Sequence, residues 1–216
     1  MQPIISIVGK SEGGKTTLLE KLIVELKRRG RKVAIIKHTH HDFEIDEIGK
    51  DSWRFSQAGG DVVTVSSPCR FAIFKKTEQD LGPQELARFI VGDYDLILTE
   101  GFMRSDTIKI EVHRKELSAE LLCSPQQLLA VVTDEPLTVD VPQFSKDEVE
   151  KIVDLLEDKV IAQREEEDVE LFINDTYIPI KLFVREFLTG ALIGMVSNLK
   201  GVKEVKSLNI SLRRKA

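Results

Sequence analysis

The sequence predicts an α/β chain: a mainly parallel sheet flanked by helices, followed by a small α+β module. Three observations predict it. Strand-like and helix-like segments alternate through the first 160 residues, as successive βαβ units require. The apolar run Ile4-Ile5-Ser6-Ile7-Val8 leads directly into the glycine-rich stretch Gly9 to Thr16, GKSEGGKT, and a helix-forming segment follows. Beyond the acidic stretch QREEED at Gln163 to Asp168, apolar and polar residues alternate instead, which is the period of a half-buried strand. The chain thus divides into a main domain over 1–163 and a module over 169–216.

In order, the expected strands of the main domain are Ile4–Val8, Lys32–Lys37, Asp61–Val65, Phe71–Phe74, Leu96–Thr99, Ile108–His113 and Leu128–Val132. The expected helices are Lys15–Arg29, Gly49–Ala58, Pro83–Ile90 and Lys146–Leu156. In the first helix Leu18, Leu19, Leu22, Ile23 and Leu26 share one face, the 3.6-residue period of a core-facing helix. It ends at Gly30, with Lys27, Arg28 and Arg29 opposing the negative end of its dipole. The alternation implies a sheet covered on both faces, and ligands gather at the carboxyl ends of such strands. The glycine-rich loop and the regions of Lys37 and Glu100 are therefore expected at one edge. In the module, VELFINDTYIPI reads as a hairpin turning at Asn174-Asp175, Lys181 to Val196 as a helix, and Lys206 to Leu212 as a further strand. A β-β-α-β unit of about 50 residues is marginal alone, so it is expected to dock on the main domain or a second subunit.

Composition excludes several classes. A net charge of -5 argues against general nucleic-acid binding. Cys69 and Cys123 lie far apart and lack C-x-x-C spacing, which disfavours a disulfide framework and a cysteine zinc site. The longest apolar-rich stretch, Phe183 to Val196, is interrupted by Arg185 and Glu186 and is too short to span a bilayer. With no signal peptide evident, a cytoplasmic location is expected.

Gly9 to Thr16 matches G-x-x-x-x-G-K-[ST], with a strand before it and a helix after it. The spacing has a physical basis. Gly9, Gly13 and Gly14 let the backbone curl so that N–H groups point at an anion, and the following helix adds the positive end of its dipole. Lys15 can bring an ammonium to the β/γ-phosphates and Thr16 a hydroxyl to Mg²⁺. The motif predicts a P-loop NTPase fold that binds a nucleoside triphosphate through Gly9, Lys10, Ser11, Glu12, Gly13, Gly14, Lys15, Thr16 and Thr17. Tyr94 to Gly101, YDLILTEG, reads as a buried strand tipped by a carboxylate. Glu100 is accordingly a metal candidate beside Thr16, whereas Asp95 sits at the strand entrance, at the wrong end.

Other candidates come from the loops. Lys37 to Ser52 reads KHTHHDFEIDEIGKDS. His38, His40 and His41 are poorly spaced for one tetrahedral zinc site, and a polar loop touching phosphate or a partner is favoured. Asp51 and Asp46 fit equally well as Mg²⁺ or water-orienting groups and as helix-capping carboxylates. Asp134, in Thr133-Asp134-Glu135 after a strand, can accept from guanine N1 and N2; a plain turn before Pro136 is the other reading, and N-K-x-D is absent.

Taken together, GKSEGGKTTLLEKLI, the block RGRKVAIIKHTHHDFEIDEIGKDSWRFSQAGG, DLILTEGF and KIEVHR resemble the MobB family of molybdopterin-guanine dinucleotide biosynthesis adaptors, over roughly residues 1 to 160. The resemblance implies a GTP-binding, often dimeric accessory protein with weak GTPase activity. It would work beside a MobA-type guanylyltransferase that joins GMP to molybdopterin. Carried over by position, Gly14, Lys15 and Thr16 bind phosphate and Mg²⁺, and Glu100 serves the metal. The histidine-rich loop lines the site with Lys50, Asp51, Ser52 and Arg54. Lys37, His38, His41, Lys50 and Arg54, with Arg70 beside them, would face the pterin or the partner. In one branch of related nucleotidases a lysine after the first loop glycine crosses a homodimer to the partner's phosphates. Lys10 holds that place, although Ser11-Glu12 replaces the usual Gly-Gly. Two other readings stay open: an ATP-dependent ligase or kinase of the dethiobiotin synthetase type, and a metallochaperone GTPase using His38, His40 and His41.

Overall fold

Most apolar runs of the first 161 residues assemble into a sheet whose central strands are buried on both faces. The computed structural model describes residues 2–39, 41, 43, 46–162, 169, 171–173, 176–201, 205, 208, 210 and 212. In chain order the elements are β1 (Ile4–Gly9), α1 (Lys15–Arg28), β2 (Val33–Lys37), α2 (Asp51–Gln57), β3 (Val62–Ser66), β4 (Phe71–Lys75), α3 (Pro83–Ala87) and β5 (Leu96–Glu100). They continue with β6 (Ile108–Val112), β7 (Leu128–Val132), β8 (Gln143–Phe144), α4 (Val149–Leu156), β9 (Leu171–Ile173), β10 (Thr176–Ile178) and α5 (Leu182–Ser197). The chain divides into two compact units, Gln2–Ile161 and Ala162–Ala216.

In the first unit six strands run parallel in the order β2-β5-β1-β6-β7-β8. This is the expected mainly parallel sheet flanked by helices. The order reverses at β1, where β5 lies on one side and β6 on the other, so the loop after β1 occupies the topological switch point. Leu18, Leu19, Leu22 and Leu26 of α1 pack with Ile5, Ile7, Leu98 and Ile110 from the strands and Ile152, Val153 and Leu156 from α4. Ile23, on the same face, is partly buried against that core.

The structure departs from the expected pattern at several places, among them the third helix, which ends at Ala87 instead of Ile90. The segments around 61–65 and 71–74 are not part of the parallel sheet: β3 and β4 form a separate antiparallel hairpin. Only residues 67–70 join them, closed by Ser67 N donating to Arg70 O at 2.7 Å, and a parallel crossover needs a dozen residues or more. The helix expected from Gly49 begins at Asp51, because Gly49 has a φ of +94°. The helix expected from Lys146 starts at Val149, since Ser145 N donates to the Glu148 carboxylate at 2.9 Å before the helix begins. The two-residue strand β8 had no legible pattern; backbone bonds from Val131 N to Pro142 O and from Thr133 N to Phe144 O, at 2.9 and 2.8 Å, hold it to β7.

Charge ties α1 to α4. Glu25, only 8% exposed, accepts from Arg28 Nε and Nη2 and from Arg29 Nε, each at 2.7 Å. Arg29 Nη1 also donates to Asp154 at 2.6 Å and to Glu157 at 2.8 Å. Hydrogen bonds from Arg28 and then Arg29 hold the Glu25 carboxyl down to about 2, against an ordinary value of 4.5. Its folded value lies below its unfolded one, so the stability it contributes is present above pH 4.5 and is lost as pH falls towards 2. Glu25→Gln is therefore expected to flatten the acid limb of a stability-versus-pH curve measured by urea denaturation, and an unchanged limb would contradict this account.

In the second unit β9 and β10 pair antiparallel, with Thr176 opposite Ile173, in agreement with the expected hairpin. The Asn174-Asp175 turn and most of the strand expected at Lys206 to Leu212 lie outside the described residues. Helix α5 presents Leu182, Phe183, Phe187 and Met195 as exposed side chains. Among the described residues, no helix is long and apolar enough to cross a membrane.

Candidate functional site

The site is built where β1, β2, β5 and β6 end together. Gly9 closes β1 opposite Val112 of β6. Its φ is +147°, and a Cβ there would lie 2.4 Å from the Val112 carbonyl oxygen, so close packing of two backbones requires glycine. The loop then turns through Glu12, whose φ of +62° lies in the left-handed region, to Gly14 at φ +94°. Gly14 is the N-cap of α1 and supplies no side-chain cap. The first N–H groups of a helix have no intrahelical acceptor, so those of Lys15, Thr16 and Thr17 face the loop with the dipole's positive end. Lys10 carbonyl oxygen accepts from Gly13 N at 3.2 Å and from Lys15 Nζ at 2.7 Å. This folds the Lys15 ammonium back over the loop.

Glu100 meets Thr16. The Thr16 hydroxyl donates to Glu100 Oε1 at 3.1 Å, across 84 positions of sequence. Lys37 pairs in register with Glu100, and its ammonium lies 3.9 Å from Oε2. The strand ends therefore bring together a hydroxyl, a carboxylate and two lysines. Oxygen donors of this kind suit a hard cation such as Mg²⁺, and the donor set fits the group that the phosphate loop implies. After Glu100 the chain reverses through Gly101 and Phe102, with φ of +103° and +56°. The His38 ring lies against Phe102, centroids 4.6 Å apart, and its Nε2 is 3.1 Å from both carboxylate oxygens of Asp80. Asp80 was not foreseen: it belongs to a segment with no motif, and only folding brings it to His38.

The remaining candidates have local partners. Lys50 is the N-cap residue of α2 and pairs with Asp46 at 3.4 Å and Glu47 at 3.2 Å. Neither Asp46 nor Asp51 therefore occupies the capping position that sequence left open to them. The Ser52 hydroxyl donates to Asp46 at 2.6 Å and, with the Glu47 amide, holds its carboxyl below the ordinary carboxylate range. Asp51 is 81% exposed and lies 3.5 Å from Arg54. His41 N donates to the Thr39 hydroxyl at 3.2 Å, His40 lies outside the described residues, and Arg70 sits in the β3–β4 turn. Among the described residues no three His, Cys, Asp or Glu side chains cluster as metal ligands. Cys69 and Cys123 are both free thiols, and burial pushes the Cys123 thiol up to about 11. At the other edge Asp134 pairs with Arg114.

Beneath the loops runs a buried polar chain. Thr99 donates to Ser6 at 2.9 Å, Ser6 and Thr107 share a bond of 2.6 Å, and Thr107 and Ser105 one of 2.7 Å. Fully buried Lys109 donates to the carbonyls of Ser105 and Thr107 at 2.6 and 2.8 Å. These bonds pin residues 101–107, the loop that follows Glu100.

Comparison with known proteins gives a consistent result. The family model described as "MobB: Molybdopterin guanine dinucleotide synthesis protein B" matches residues 4–134. The chain is 40% identical over 156 residues to a molybdopterin-guanine dinucleotide biosynthesis adapter protein of Haemophilus influenzae, covering 72% of this chain and 88% of that one. It is 38% identical over 161 residues to its Escherichia coli counterpart, covering 72% and 92%. A crystal structure of molybdopterin-guanine biosynthesis protein B superposes with a TM-score of 0.54 at 31% identity, over 73% of this chain and 98% of that one.

Proposed function

Because the chain belongs to the molybdopterin guanine dinucleotide synthesis protein B family, we propose that it is a GTP-gripping adapter in the biosynthesis of molybdopterin guanine dinucleotide. The observation that carries this reading is the Thr16–Glu100 contact at 3.1 Å beside the Lys15 ammonium. It brings two sequence motifs together at one place, where phosphate and Mg²⁺ would be held. Lys15 would leave the Lys10 carbonyl for the β/γ-phosphates, the α1 amides would take the phosphate oxygens, and Thr16 and Glu100 would hold Mg²⁺. The cation bridges and neutralises phosphate oxygens when bound.

Phosphoryl transfer depends mostly on positioning and charge. A site that holds the triphosphate firmly without an aligned water turns over slowly, as suits an accessory protein. Nucleotide binding would order the loops after Lys37 and Glu100, where His38 stacks on Phe102. That surface is offered to the pterin and to a MobA-type guanylyltransferase. The test is a calorimetric titration with GTP and ATP, with and without Mg²⁺, alongside retention of the guanylyltransferase on immobilised protein. Mg²⁺-dependent GTP binding and GTP-enhanced retention are expected. Failure to bind either nucleotide with Mg²⁺ present would overturn the reading.

A further inference from the structure

Three loops leave the carboxyl ends of neighbouring parallel strands: the phosphate loop after β1, residues 113–118 after β6 and residues 133–136 after β7. One side chain spans them. Arg114 is only 15% exposed at its side chain. Its Nη1 donates to the His113 carbonyl at 2.9 Å, and its Nε lies 3.3 Å from Asp134 Oδ2. Its Nη2 stands 3.7 Å from the place a Cβ would occupy on Gly14. A second tie, Lys115 to Glu135 at 2.8 Å, runs beside the first. The turn it joins is closed by Thr133, whose hydroxyl donates to Glu135 O at 2.9 Å. Nothing in the phosphate and Mg²⁺ reading uses this arrangement.

We propose that Arg114 is a positioning residue for base recognition, fixing the Asp134 carboxylate at a set distance from the phosphate loop so that it accepts from a guanine. The inference rests on the nucleotide reading above and adds the origin of base selectivity. A carboxylate is purely an acceptor. Guanine presents two adjacent donors, N1–H and N2–H, whereas adenine presents its N1 lone pair at the same place. A carboxylate free to swing would turn to water and lose that discrimination. Paired with a largely buried guanidinium that is itself bonded to the His113 carbonyl, it is held in place, and an adenine leaves it facing a lone pair. The guanidinium approaches Oδ2 as an ion pair at 3.3 Å, and a carboxylate keeps acceptor sites for the base beyond that contact. Arginine suits the task because its fork is planar and rigid, where a lysine is a flexible point charge.

The test titrates the full chain in Mg²⁺ with GTP, ATP and XTP. The natural protein is expected to favour GTP over ATP. Arg114→Ala and Arg114→Lys should each lower GTP affinity at least about tenfold more than ATP affinity, the scale of one charge-assisted hydrogen bond. Asp134→Asn should lose GTP and gain XTP, whose carbonyl at C2 needs a donor. Circular dichroism checks the fold, and if the alanine variant unfolds the lysine variant carries the comparison. Equal losses for GTP and ATP would make Arg114 a phosphate ligand and overturn the proposal, as would an unchanged ratio in a folded variant. A natural protein that binds GTP and ATP equally overturns this inference while nucleotide binding stands. One that binds neither overturns both.

Discussion

Lys15→Ala is expected to lower GTP affinity at least about a hundredfold, the loss of a fully desolvated charge-assisted contact to phosphate. The free protein should scarcely notice. Among the described residues the Lys15 ammonium bonds the Lys10 carbonyl at an exposed position, and the buried face of α1 is made by Leu18, Leu19, Leu22 and Leu26. The two effects separate in one measurement. Ligand that binds only the folded state raises the melting temperature according to its concentration over Kd, so GTP·Mg²⁺ should stabilise the natural protein and leave the variant at its unliganded value. A variant with normal GTP affinity would remove the phosphate loop from the function.

Gly9→Ala is expected to destabilise the fold itself by about 2 to 5 kcal/mol, combining backbone strain with overpacking. The added Cβ would meet the Val112 carbonyl at 2.4 Å, and that obstacle is backbone within the β1–β6 ladder. It can yield only by parting two central strands. Gly14→Ala provides the contrast: its φ of +94° is unfavourable for alanine, but the nearest atom to its Cβ is an Arg114 nitrogen at 3.7 Å. That variant should lose only about 1 kcal/mol of stability, the penalty of the left-handed conformation alone. Urea denaturation of both variants separates overlap from strain, and equal losses would refute the argument.

How far the site could be read in advance depended on where its parts lie in the chain. The phosphate loop is contiguous, so its glycines, Lys15 and Thr16 carry their geometry in their spacing, and the structure folds them as a strand, a loop and a helix. Glu100 was legible because an apolar run ends in a carboxylate, and parallel strands deliver such ends to one edge. The hairpin of β3 and β4 was misplaced because an apolar pentad reads alike whether it pairs parallel or antiparallel. Its four-residue connection held the answer. Asp80 and Arg114 were missed for a different reason. Each gains its meaning from a partner distant in sequence, His38 and Asp134 respectively.

Sequence by itself determined the fold class and the family, because both are written in short-range order: strand, glycine loop, helix, then a carboxylate-tipped strand. Tertiary structure decided which side chains actually touch around the glycine loop, including pairs that no motif announces. Strand order put Glu100 beside Thr16, and adjacency of β6 and β7 put Arg114 against Asp134. Pairing between strands far apart in the chain is a long-range choice made by burial and register, which short-range spacing does not encode.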